Sequence, residues 1–253
     1  MFDPLDYPFL VLGVSLAMFW FAAWIGASFR AKRQTLKEDT REDFTFVLGA
    51  TLTLLGLIIG FSFSMAVSRY EQRKNYEEDE ANAIGTEYVR ANLLPPADAA
   101  KVRDLLRSYL DQRILHYKSR RSQQLQVVDD ETARLQTELW STVATPALAQ
   151  PTCVMALTLS GMNDVLNSQG YTQAAWWNRI PTGAWILLIS ISVFCNLLIG
   201  YAAHGRGSFI LLILPITLAV SLFLISDIDS PRRGFISVRP QNLESLAGSL
   251  HSH

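Results

Sequence analysis

Four stretches of the chain run without a single Asp, Glu, Lys or Arg: residues 7–29, 44–68, 180–203 and 207–226. Each is long enough to cross a bilayer, since a helix needs roughly 20 apolar residues to span the hydrocarbon. Backbone groups in lipid must bond within their own segment, so each stretch is expected to be a helix. The layout predicts an all-α membrane protein, with a helical soluble insert between the second and third of four transmembrane helices. The boundaries follow: helices one and two in 1–68, the insert in 69–179, a hairpin of helices three and four in 180–226, and a C-terminal segment in 227–253. The link around His204–Arg206 is barely a turn, and Pro215 should kink the fourth helix. The first stretch reads as a retained anchor, because Asp3 and Asp6 precede it and no small-residue cleavage site closes it.

The insert has helical rather than strand periodicity. Val102, Leu105, Leu106, Tyr109, Leu110, Arg113, Ile114 and Tyr117 recur at helical spacing, with Asp98 as a candidate cap after Pro95-Pro96. Asp129-Asp130-Glu131 is expected to open a further helix, with Leu135, Leu139 and Val143 on its apolar face and Pro146 and Pro151 interrupting it. No Pro lies between Phe44 and Leu94, and the residues after Ser68 are good helix formers. One long helix is therefore predicted to leave the bilayer and enter the insert; the alternative is a break near 68–70. The acidic run Glu77–Glu80 reads as a solvated face rather than a cation site, with Arg73–Glu77 and Lys74–Glu78 at ion-pair spacing.

Charge narrows the function classes. The net charge of −1 gives no basic face for nucleic acid. Basic residues flank both sides of the apolar stretches, so charge leaves the insert's side undecided. Cys153 and Cys195 are not expected to pair, because Cys195 lies inside an apolar stretch. No catalytic or phosphate-binding motif is present, and the four His are scattered, which argues against an enzyme and for no cofactor or metal. The polar segment Ser226–Gly234 is either a surface turn or a brace between the insert and the membrane helices.

The second apolar stretch is the most informative. Thr53, Leu57, Phe61 and Ser64 share one helical face, and Gly49, Gly56, Gly60, Ser62 and Ser64 are small residues of the kind that let membrane helices approach closely. This pattern fits ordinary packing. It also fits copies of one face ringing an axis, where Thr53, Leu57 and Phe61 would form an apolar constriction that gates by dewetting. Arg69 would add positive potential at one mouth.

Gly60–Asn75 resembles the end of the second membrane helix of bestrophins, and Asp227–Gly234 falls where bestrophins carry an acidic segment with Pro and Gly. Gly56–Glu71, Glu80–Thr86, Arg90–Pro95 and Asp227–Ile236 look still closer to the bacterial bestrophin-like family. The resemblance implies a pentameric anion channel of the bacterial inner membrane, with the insert and both termini cytoplasmic and helix two lining the pore. It places the neck at Thr53, Leu57 and Phe61, although bestrophins have an aliphatic residue where Thr53 stands. The calcium-binding acidic cluster of animal bestrophins is not matched. The expected partners are lipid, further copies of the chain and a permeant anion such as chloride. A non-conducting membrane adaptor, whose insert binds a cytoplasmic partner, is the alternative.

Overall fold

The structure, a computed structural model, describes residues 7–31, 38–202 and 210–251. Its elements are α1 (Pro8–Ala31), α2 (Glu38–Arg90), a 3-10 turn (Ala91–Leu93), α3 (Pro96–Lys118), α4 (Ser122–Ala149), α5 (Cys153–Trp177), α6 (Thr182–Ala202), α7 (Ile210–Asp229) and α8 (Gln241–His251). Among the described residues there is no strand. Four helices are long and apolar enough to span a membrane. The chain divides into two compact units, Met1–Tyr70 with Arg179–Ser237, and Glu71–Asn178 with Val238–His253.

α2 is unbroken from Glu38 to Arg90, so the alternative of a break near 68–70 does not occur. It starts inside the charged link 30–43, of which residues 32–37 lie outside the described residues, as does the predicted His204–Arg206 turn. Pro215 lies within α7. Cys153 and Cys195 are unpaired thiols.

In the first unit α1 packs on α6 and α7. Phe19, Leu55, Ala66, Trp185, Leu188, Cys195, Leu218 and Leu222 belong to one buried cluster. Where α1 and α6 cross, Gly26 lies on the backbone of Leu197 and Tyr201, and Gly200 lies on the backbone of Ala23. A Cβ at either glycine would overlap the facing carbonyl oxygen. The glycines predicted to serve close approach behave differently: a Cβ at Gly49, Gly56 or Gly60 meets nothing within 4 Å.

The second unit contains α3, α4, α5 and α8. Val102, Leu106, Tyr109, Leu110, Leu135, Leu139, Val143, Met162 and Val165 are all buried. Three local expectations are corrected. Asp98 sits in the first turn of α3 rather than capping it; Pro95 holds the cap and Pro96 the first helical position, where a missing N–H costs nothing. Asp129–Glu131 lie inside α4, which begins at Ser122. Pro146 does not interrupt α4, because it falls in the last turns, where one lost backbone bond is tolerated. The chain breaks at Pro151 instead, and Thr152 Oγ1 then caps α5 by accepting from Met155 N at 3.2 Å.

Candidate functional site

The candidate face of α2 lies in the first unit. Leu55, Ser62 and Ala66 are buried, while Thr53, Leu57 and Phe61 on the opposite side are exposed, Leu57 at 54% and Phe61 at 64%. An exposed stripe so apolar on one side of a membrane helix has to be covered by lipid or by other protein. Thr53 Oγ1 donates to the Gly49 carbonyl at 2.9 Å, one turn back. Its hydroxyl proton is thus engaged on its own helix.

Arg69 lies at the end of this unit's share of α2. Its Nη1 is 4.0 Å from Asp229 Oδ1, its Nη2 is 3.6 Å from Met65 Sδ, and its side chain is only 15% exposed. It is therefore an anchored cation rather than a free mouth charge. Asp229, the last residue of α7, also accepts from Ile180 N through both carboxylate oxygens at 3.2 Å. Asp227 accepts from Phe235 N at 2.7 Å and Ile236 N at 2.9 Å. Gly234 lies on the Asp227 carbonyl, where no side chain fits. These bonds of Ser226–Gly234 all fall inside the first unit, and the segment works there as a carboxylate-capped turn.

Sequence reasoning missed the polar interior of the second unit. Glu77 and Glu80 are buried, at 1% and 0% exposure, which corrects the reading of the whole acidic run as a solvated face. Only Glu78 and Asp79 are exposed. Glu80 takes a charge-assisted bond from Arg113 Nε and a second from Arg113 Nη2 at 3.4 Å. Thr172 Oγ1 and Tyr117 Oη donate to it at 3.2 and 3.4 Å. Burial pushes the Tyr109 and Tyr117 hydroxyls well above their ordinary range, so both remain neutral; Tyr117 donates to Glu80, and Tyr109 accepts from Gln136 Nε2 at 3.4 Å. Glu77 accepts from Asn242 N at 2.9 Å, Leu243 N at 3.0 Å and Asn242 Nδ2 at 2.7 Å, capping α8. The available signal was Arg113 itself, a charge on the apolar stripe of α3.

Among the described residues no three His, Cys, Asp or Glu side chains gather to hold a metal. The buried carboxylates Glu77 and Glu80 are each engaged by donors that hold the fold together.

Residues 12–243 match the bestrophin-like domain. The chain belongs to the bestrophin-like family. Its fold matches solved structures of single-residue variants of a bacterial bestrophin homologue from Klebsiella pneumoniae. One has a TM-score of 0.68 at 13% identity, covering 96% of this chain and 97% of that one. Another has 0.65 at 14% identity, covering 97% and 98%. Comparison with functionally curated proteins gives no match. The bestrophin-like chain is thus a multi-pass, all-helical membrane protein, and the structural likeness runs through both units.

Proposed function

We propose that several copies of this bestrophin-like chain, five by analogy, surround a pore in the bacterial inner membrane. α2 lines it, and Thr53, Leu57 and Phe61 form an apolar neck that conducts anions when it widens. The supporting observation is the one-sided exposure of α2: the face opposite Leu55, Ser62 and Ala66 is apolar and uncovered within the chain. Aromatic edges such as those of Phe61 carry positive partial charge and tolerate weakly hydrated anions. Arg69 adds a positive field that Asp229 partly offsets. The second unit and both termini lie in the cytoplasm on this reading, and no catalytic step is assigned.

The test is chloride efflux from proteoliposomes. Phe61→Ala should raise efflux several-fold by widening the neck. Intact oligomers that carry no flux in either form would overturn the pore.

A second reading keeps the membrane helices as an anchor and the second unit as a binding module. Leu148, Val127 and Trp177 of that unit are exposed at 81%, 69% and 74% and leave apolar side chains open to a partner. A stoichiometric soluble partner, with binding indifferent to Leu57 and Phe61, would favour it.

A further inference from the structure

Glu87 of α2 is completely buried in the second unit, and among the described residues no hydrogen bond reaches either of its carboxylate oxygens. It presses on α5. A Cβ at Gly161 would overlap Glu87 Oε2, and the Arg90 side chain crosses the same glycine with its guanidinium Nη1 2.5 Å and its Cδ 3.2 Å from that position, which sets the Arg90 charge beside the carboxyl. One turn earlier on α5, Thr158 is also completely buried with its hydroxyl unpartnered. Two polar groups without partners at one helix contact, beside the glycine that allows the contact, are unusual. A folded chain normally bonds every such group. An ionised carboxylate there is costly, because burial strips it of hydration and only the neighbouring Arg90 charge opposes that cost.

We propose that Glu87 is a proton-operated latch between α2 and α5. With the carboxyl protonated the two helices close at Gly161; with the proton released to water the carboxylate draws solvent in and the contact opens.

The charges facing Glu87 support this. Burial raises its pKa to about 8; Arg90 on its own helix opposes that rise and Asp164 on α5 adds to it. Arg103 and Arg107 of α3 lie instead over the ring of Tyr88. The sign follows from linkage. An acid whose folded pKa exceeds its unfolded value of about 4.5 favours the closed state at low pH. That advantage is lost progressively as pH rises from there to about 8.

The proposal stands apart from conduction, so its test does not use flux. Hydrogen exchange of α5 peptides spanning Thr158 and Gly161 should be compared between wild type and Glu87→Gln at matched pH, which cancels the intrinsic pH dependence. The wild-type rate relative to the variant should climb at least about tenfold between about pH 6 and about pH 9, with peptides of the first unit unmoved. A ratio independent of pH overturns the latch. Should the Gln amide, itself unpartnered there, prevent folding, Glu87→Met supplies a neutral apolar comparison. The wild type alone gives an infrared check: a protonated buried carboxyl at about pH 6 that is lost by about pH 9 supports the latch. A site already ionised at the lower pH refutes it.

Discussion

The two units are both helical, yet they bring helices together by opposite means. In the first, contact is made by removing side chains: Gly26 and Gly200 let α1 and α6 touch backbone to backbone, with Ala22, Ala23 and Ala27 buried alongside. In the second, contact is made by adding charge: Glu80 meets Arg113, Tyr117 and Thr172 in a dry interior, and Glu77 holds the start of α8. The surroundings explain the contrast. Between lipid-spanning helices there is no hydrophobic drive, since acyl chains are as apolar as leucine, and close van der Waals fit decides. The second unit carries exposed charges such as Lys101, Asp104 and Arg134, has a leucine- and valine-rich core, and tolerates a buried ion pair that is held by several donors.

The comparison breaks most readily at the α1–α6 crossing. Gly200→Val would drive two γ-carbons through the Ala23 carbonyl, and backbone on both helices leaves nothing that can turn aside. A loss of about 5 kcal/mol is expected, at the extreme for single substitutions. The readout is the yield of monodisperse protein in mild detergent, which should collapse; near-normal yield would show that the helices do not meet there.

A smaller effect is expected from the charge network. Arg113→Met leaves Glu80 buried without its cation and should cost about 3–5 kcal/mol. Adding Glu80→Met should recover part of that loss, because two apolar groups of similar length need no bonding partner, while the Tyr117 and Thr172 hydroxyls lose their acceptor. Urea titrations followed by tryptophan fluorescence would measure both. A double variant as unstable as the sum of the singles would mean that the network does not act as a pair.

The same contrast explains what the sequence disclosed. Membrane spans are legible because a charge-free run of more than about 18 residues is rare outside lipid. α2 is traceable through Arg90 because no Pro or helix-poor run interrupts it. The buried stripe Arg73, Glu77, Glu80, Ile84 and Glu87 is not legible. Acidic residues ordinarily face water, and one-dimensional spacing cannot show that α3 and α8 bring Arg113 and the α8 N-terminus to meet them. The close-approach glycines within the chain, Gly26 and Gly200, are not legible for a related reason. Composition marks small residues, but only the partner helix decides which of them are in contact. The face of Thr53, Leu57 and Phe61 is visible as periodicity, and what covers it lies beyond a single chain.

Gly56 and Gly60 offer the gentlest test, and one that isolates that cover. A Cβ added at either glycine would meet no atom within 4 Å, so Ala at either position disturbs no contact within the chain. Helix propensity alone would favour the change by up to about 1 kcal/mol per site. If α2 stands against lipid, Gly56→Ala and Gly60→Ala should therefore leave mass unchanged and stability unchanged or slightly raised. If α2 stands against its own copies, the added methyls fall along the flank of the Thr53–Leu57–Phe61 line and force neighbouring helices apart. We expect the second outcome: native mass spectrometry should show folded chains shifted towards smaller assemblies. An unchanged assembly would place lipid or the open lumen on this flank and leave α2 without a neighbouring copy of itself there.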